Sequence, residues 1–261
     1  ATFVIVIIAK NYIIIKNIKQ SCKNASFSLE RKKIGKNKNK NLDEKDEEAL
    51  KKKTRPRQIC NNQEAILFLK EITPKCESIS TSEIDLDPKH FGEGLTFLND
   101  ELYQLTWREK VGFVYNPEDF SKTKTFNYKK SNEGWGICND GNTLYKSDGT
   151  EKIWTLNTST LVEEEFIQAY TNKGKVIGLN ELEWINGKIY ANRYQKDGVA
   201  IINPKNGAIE GVIDFSPLKK KVTQHKNLDV LNGLAWNPDT NTLFVTGKRW
   251  DKLFEVEIIE K

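Results

Sequence analysis

FGEGLTFLNDELYQLTW (residues 91–107), EGWGICNDGNTLYKSDG (133–149), LNELEWINGKIYANRYQ (179–195) and LNGLAWNPDTNTLFVTG (231–247) are four versions of one phrase. Each opens on small, acidic or amide residues, runs into apolar ones, passes a polar turn and returns in an aromatic-containing strand. Leu102-Tyr103, Leu144-Tyr145, Ile189-Tyr190 and Leu243-Phe244 fall in register, at successive spacings of 42, 45 and 54 residues. Hairpins repeating at about 40 to 50 residues are the pattern of propeller blades, none of which can bury both faces alone. The opening of each blade lies toward the common axis. Residues remote in sequence, such as Glu93, Asn180 and Lys248, can therefore meet in one site.

Outward from these phrases the same reading holds. Asn99-Asp100, Asp140-Gly141, Asn186-Gly187 and Asn206-Gly207 supply turns between strands. GFVYNP ends at Pro117, which cannot continue a ladder, and SDGTEKIWTLN and KDGVAIINPKNG repeat a third-strand phrase. No long amphipathic helix interrupts, which disfavours parallel α/β folds. One stretch, 213–231, breaks the rhythm with Pro217, a lysine run and His225. A loop of this kind either lines a site or is a tolerated insertion.

Composition narrows the function. At 261 residues the chain could hold one large or two small domains, and the repeat favours one all-β unit. The formal net charge of +5 comes mainly from KKIGKNKNKN and KKKTRPR near the N-terminus, while the repeats mix both signs with no basic stripe, so no nucleic-acid partner is expected. Cys22, Cys60, Cys76 and Cys138 lack CxxC spacing and neighbouring histidines, which argues against zinc; a Cys60–Cys76 disulfide is one option, and the compartment stays open. No apolar run of about 20 residues exists, so no transmembrane segment is expected. The apolar start ATFVIVIIAKNYIIIK reads equally as a β-strand or as the apolar part of a signal peptide, the latter implying a periplasmic or secreted protein. Residues 1–80 form an irregular basic region, either a divergent first blade or partly disordered, and 81–261 the propeller domain. Within that region, 23–57 is rich in Lys, Asn and Glu, LDEKDEEALKKK could form a short helix, and EAILFLKEI a strand or a helical turn.

With two histidines and no nucleophile elbow, phosphate loop or metal motif, chemistry falls to carboxylates, amides, a lysine and tryptophans. Glu93 lies between two glycines beside Phe91 and Leu95; partial desolvation would raise its pKa and suit proton transfer near neutrality. A structural acid accepting turn amides is the alternative. Trp107, Trp135, Trp184, Trp236 and Trp250 recur at strand ends, where most would be inter-blade core and a few could wall a pocket. Asn180 could cap a turn or orient a ligand. Lys248 follows a glycine at a strand end. Glu181 and Glu183 share a strand face.

These phrases, together with SDGT, DVLNGLAW and TGKRWDKLFEVE, resemble the glutaminyl-peptide cyclotransferases of the plant and bacterial type over about residues 83 to 258. The resemblance implies a five-bladed β-propeller of four-stranded antiparallel blades, four of them recognisable here and the first divergent or incomplete. It implies an acyltransferase, needing no metal or other cofactor, that converts the N-terminal glutamine of a peptide or protein to pyroglutamate and releases ammonia. Carried over residue by residue, Glu93 is the general acid/base, with Asn180 and Lys248 as further catalytic groups. Trp107 and Trp135 are substrate-binding walls. A monomer is expected. Two features depart from the family pattern. Tyr194 stands where the family often has tryptophan, and the first-blade phrase of the FTQGL kind has no counterpart in this N-terminus. A non-catalytic propeller that binds peptides or protein partners is the rival reading. A sugar hydrolase using Glu181 and Glu183 fits less well, since no second acid stands opposite.

Overall fold

Asn186 and Gly187 both take positive φ, 47° and 80°, between two strands whose residues Ile185 and Lys188 pair directly. This is the two-residue turn whose twist matches a right-handed hairpin. A computed structural model of the chain describes residues 2–9, 12–19, 65–71 and 80–260, with side chains from Leu86 to Ile258. In chain order, β1 (Thr2–Ala9), β2 (Tyr12–Lys19), β3 (Ala65–Glu71) and β4 (Ser80–Asp85) precede the repeats. Then come β5 (Gly92–Leu98), β6 (Glu101–Thr106), β7 (Val111–Tyr115) and β8 (Lys122–Asn127), followed by β9 (Ile137–Asn139), β10 (Leu144–Ser147), β11 (Lys152–Leu156) and β12 (Glu163–Gln168). A small ribbon, β13 (Tyr170–Thr171) and β14 (Gly174–Lys175), leads to β15 (Leu179–Ile185), β16 (Lys188–Arg193), β17 (Gly198–Ile202) and β18 (Ile209–Asp214). After the short helix α1 (Ser216–Lys219) the chain ends in β19 (Leu231–Asn237), β20 (Thr242–Gly247) and β21 (Phe254–Glu260).

The strands pair antiparallel as four-stranded sheets β5-β6-β7-β8, β9-β10-β11-β12, β15-β16-β17-β18 and β19-β20-β21-β3, the four propeller blades that the repeat predicts. In the last blade the outermost strand comes from far earlier in the chain: AILFLKE, within the EAILFLKEI stretch, is strand, with Glu71 opposite Phe254 and Ala65 opposite Glu260. A further sheet, β1-β2-β4, has three strands. Round the axis β5 lies against β9, β9 against β15 and β15 against β19, while β1 touches both β5 and β19. The three-stranded sheet thus occupies the place that a fifth blade would take. The possible helix over LDEKDEEALKKK and the possible Cys60–Cys76 disulfide lie outside the described residues. Cys138 is a buried free thiol.

The in-register pairs Leu102-Tyr103, Leu144-Tyr145, Ile189-Tyr190 and Leu243-Phe244 all fall on the second strand of a blade, and all but the half-buried Phe244 are buried. Packing lies between neighbouring blades: Leu105 and Val114 of the first meet Ile137, Leu144 and Leu156 of the second, and Val199 and Ile213 of the third meet Leu231, Leu243 and Val245 of the fourth. Trp184 stacks on Tyr145 across a blade boundary, with ring centroids 5.4 Å apart and planes 8° from parallel. The insertion at 213–231 adds Phe215, Leu218 and Val222 to the core between the third and fourth blades.

The second blade carries a buried ion pair. Lys146 on β10 and Glu163 on β12 are 0% and 1% exposed, with Nζ and Oε1 3.1 Å apart. Glu163 also accepts the backbone N–H groups of Lys129, Lys130 and Ser131 and the Ser131 hydroxyl, while Lys146 donates to Ser131 Oγ and to the carbonyl of Glu133. Every charge in this group has a partner, the condition under which buried ions are tolerated. Burial pushes the Glu163 pKa up, but Lys146 and the surrounding donors outweigh it and hold the carboxyl down at about 2.

Small residues at the blade openings are a steric requirement. A methyl on Gly136 would fall on the carbonyl oxygen of Asn180 and on the Glu181 Cα, both backbone atoms of the next blade. Gly136→Ala is expected to lower stability by about 1–3 kcal/mol, because rigid backbone must part to admit one carbon. Denaturant unfolding checks it; a midpoint equal to that of the parent would show that the inner strands are not in van der Waals contact there.

Candidate functional site

Three of the four blade openings share one irregularity. The pairing of β5 with β6 shifts register between Gly92 and Leu95, that of β15 with β16 between Leu179 and Leu182, and that of β19 with β20 between Leu231 and Leu234. The residues inside these shifts, Glu93-Gly94, Asn180-Glu181 and Asn232-Gly233, leave the ladder. Such bulges re-aim side chains. In the second blade Trp135 and Gly136 hold the corresponding place, just before β9. Trp135 N–H donates to the Ser147 carbonyl, Ser147 N–H donates to Gly136, and Gly94 N–H reaches the Trp135 carbonyl at 2.6 Å. Glu93, Trp135, Asn180 and Asn232 are therefore equivalent positions, one per blade.

Adjacent openings are bolted together by side chains of the second strands. Ser147 accepts the Gly136 N–H at 2.8 Å and donates to the Asn180 carbonyl at 2.7 Å. One blade further on, Asn192 accepts the Glu181 N–H at 2.8 Å and donates to the Leu231 carbonyl at 2.8 Å. Asn180 is only 4% exposed.

Glu93 is half-buried, and burial raises its pKa to about 7. Lys248 pulls it down; Glu133 and Glu109 push it up. Burial and Glu183, then Glu93, raise Glu181 to about 8, with Lys248 again opposing. Burial likewise raises Glu183 to about 8, against the N–H of Trp236 that its carboxylate accepts at 3.0 Å. Glu93, Glu181 and Lys248 thus share one electrostatic environment, in which carboxyl groups change protonation near neutrality. Among the described residues no group of three or more His, Cys, Asp or Glu side chains could hold a metal ion. No helix among them is long and apolar enough to cross a membrane.

Aromatic side chains pair beside these blade openings, one of them near Lys248. Phe91 meets Trp107 edge to face at 5.7 Å, and Trp135 meets Tyr194 edge to face at 5.4 Å. The Lys248 ammonium lies 6.0 Å from the Tyr194 ring centroid. Gly149 lies under the Trp135 indole, where any Cβ would collide with the ring. The turn bearing Lys248 is held by the 213–231 insertion: Lys248 N–H donates to Val230, the Trp250 indole to the Asp229 carbonyl at 3.1 Å, and Asp251 accepts from Thr223. The insertion braces a site residue.

Glu133 connects the two tryptophans. Its Oε2 accepts the indole N–H of Trp107 and that of Trp135, both at 2.7 Å, and its Oε1 is 3.3 Å from Arg108 Nε. The Arg108 guanidinium covers the Trp107 ring at 3.8 Å. Partial burial works against the Glu133 charge, but the hydrogen bonds from Trp135, Trp107 and Arg108 keep its carboxyl below the usual range.

The structure thus brings Glu93 and Lys248 into electrostatic contact and links Trp107, Trp135, Tyr194 and Lys248 in a chain of side chains. Asn180 stands at the position equivalent to Glu93. Trp184, Trp236 and Trp250 pack between or within blades. Sequence reading missed Glu133 and Asn232. Glu133 begins the EGWG phrase and Asn232 repeats the Asn180 position in LNGLAW, so the alignment of the four copies contained both.

A propeller whose blade openings bring a carboxyl that changes protonation near neutrality under the influence of an ammonium group is of the class suited to acid–base chemistry. Residues 64–258 match the family model for glutamine cyclotransferase, and the chain belongs to that family. The glutaminyl-peptide cyclotransferase of Arabidopsis thaliana is 40% identical over 176 residues, 66% of this chain and 54% of the plant protein. The chain thus spans about half the length of that curated relative. The crystal structure of Myxococcus xanthus glutaminyl cyclase aligns with a TM-score of 0.64 at 31% identity, covering 76% of this chain and 86% of the bacterial one.

Proposed function

We propose that the chain is a glutaminyl-peptide cyclotransferase, an acyltransferase that closes the N-terminal glutamine of a peptide or protein to pyroglutamate. The single observation that carries this reading, beside family membership, is Glu93: burial raises the pKa of its carboxyl to about 7 while the charge of Lys248 opposes the rise. The α-amine attacks the side-chain carboxamide carbon. Glu93, ionised, takes a proton from the attacking nitrogen. The carboxamide oxygen gains negative charge, and Lys248, with the Asn180 amide, stabilises it. Glu93 returns the proton to the leaving nitrogen. One C–N bond has formed, one has broken, and ammonia departs with the proton count unchanged. Trp107, Trp135 and Tyr194 hold the glutamine stem, keeping the amine and carboxamide within reach of each other. The same carboxyl serves as base and then as acid, so a pKa close to the working pH suits both steps.

Incubating the protein with a Gln-initiated peptide and following ammonia and the mass of the product tests this. Turnover is expected with a free N-terminal glutamine and none with the acetylated peptide. A protein that binds the free peptide without changing it would refute the catalytic reading and leave a peptide-binding propeller.

The pH profile carries a second expectation. Since the ionised form of Glu93 starts the reaction, kcat/KM should fall on acidification with a midpoint near 7. Lys248→Met removes the charge that favours the ionised form, so this limb should move to higher pH by about one pH unit. Stopped assays across the pH range measure it; an acid limb that stays in place or moves down would exclude Lys248 as the neighbour tuning Glu93.

A further inference from the structure

We infer that Glu133 is a positioning residue that fixes the two indole walls of the pocket relative to each other. Trp107 lies at the end of β6 in the first blade and Trp135 at the opening of the second, so packing within a single blade cannot set the angle between them. One carboxylate oxygen, Glu133 Oε2, receives both indole N–H groups at 2.7 Å. Hydrogen bonds to an ionised acceptor are short and directional, and a shared acceptor couples the two rings.

Glu133 is itself anchored from two sides. Arg108 holds the other carboxylate oxygen while its guanidinium covers the outer face of Trp107. Beneath, the Glu133 carbonyl accepts the buried Lys146 ammonium at 2.8 Å and the Ser131 hydroxyl at 3.3 Å. The Lys146–Glu163 pair gathers the backbone N–H groups of Lys129, Lys130 and Ser131, so the segment leading to Glu133 is pinned to the interior of the second blade. The carboxylate of Glu133 therefore transmits the position of a buried ion pair to the pocket walls. It has a second effect, because its negative charge faces Glu93 together with Glu109 and Glu181, against the positive charge of Lys248.

The roles of walls and acid rest on the proposed cyclotransferase reading, whereas the clamp itself is readable without turnover. Glu133→Ala removes the acceptor, and Glu133→Gln keeps an oxygen that can receive the indoles but removes the charge. Glu133→Ala is expected to lose much of the near-ultraviolet circular dichroism of the tryptophans and to raise KM for a Gln-initiated peptide about tenfold to a hundredfold, with kcat little changed. Glu133→Gln is expected to restore the dichroism and most of the KM, and to move the acid limb of kcat/KM to lower pH, since a charge opposing Glu93 ionisation is gone. Wild-type dichroism and KM in Glu133→Ala would overturn the inference, as would a Glu133→Gln protein as impaired as the alanine variant in both. If Glu133→Ala does not fold, Glu133→Asp decides: it keeps the charge but shortens the reach of the acceptor. It is expected to lose the same dichroism and raise KM, and wild-type values of both would overturn the inference. If the parent turns over no Gln-initiated peptide, the dichroism of the two variants still decides the clamp, and only the functional reading falls.

Discussion

Glu93→Gln is expected to stay folded and to lose about 10²- to 10⁴-fold in kcat on Gln-initiated peptides, the usual worth of a positioned acid–base group. Glutamine fills the same volume between Gly92 and Gly94 but can neither accept the proton of the α-amine nor return one to the leaving nitrogen. Substrate binding should change little, because the aromatic walls are untouched. The same variant should be more stable than the parent at alkaline pH. Burial raises the folded-state pKa of Glu93 from 4.5 to about 7, so the folded protein holds a proton that the unfolded chain releases. The parent therefore loses stability as pH rises through that interval, and the amide does not. Melting curves at pH 6 and pH 9, read beside turnover, test both halves. Retained activity would remove Glu93 from the mechanism, and a variant less stable than the parent at pH 9 would mean that the carboxylate is well solvated.

The largest effect on stability should come from the second blade. Glu163→Gln leaves the Lys146 ammonium 0% exposed without its counter-ion, at a cost of about 3–5 kcal/mol. Replacing both residues by apolar ones of similar volume should recover only the part due to the orphaned charge, since the backbone N–H groups of Lys129, Lys130 and Ser131 would still lack their acceptor. Acid should act on the parent in the same way. Because the folded-state pKa of Glu163 is depressed to about 2, its contribution is fully present above pH 4.5 and is lost as pH falls toward 2. Denaturant unfolding of the parent, the single and the double variants between pH 3 and 7 measures each term. A single variant within about 1 kcal/mol of the parent would contradict an ionised pair, since surface substitutions give changes of that size.

The blades were legible because a blade is a local object. Hairpin turns, period-2 patterning and the Leu-Tyr marker lie within a few tens of residues, and four copies reinforce one another. The bulges that turn Glu93 and Asn180 out of the ladder were not legible as bulges, although the small residues that permit them were. Glu133 shows what single-residue reading overlooks: in EGWG the tryptophan drew attention as a candidate wall, while its indole is held by an acid two positions earlier that also reaches Trp107 in another blade. Lys146 escaped notice for a similar reason. A lysine in a strand reads as solvent-facing, and only the approach of Glu163 from two strands away allows it to be interior. In the N-terminal region no blade phrase exists to align, yet AILFLKE forms an edge strand on the last blade and the isoleucine-rich strands β1 and β2 pair antiparallel. Strand pairing needs backbone and β-propensity, which these stretches have without the motif.

Because β3 is the outer strand beside β21, the first and last thirds of the chain meet in one ladder. During synthesis β3 emerges long before β21 and must wait, without that partner, until β21 has left the ribosome. Its partner arrives only after a long loop closes, a step whose entropy grows slowly with length but whose rate falls with sequence separation. Blades made of consecutive hairpins can form meanwhile. The pairing of β3 with β21 is then expected to follow the hairpins, and the interval in which AILFLKE lacks its partner leaves a strand edge open to pairing with another copy of the chain.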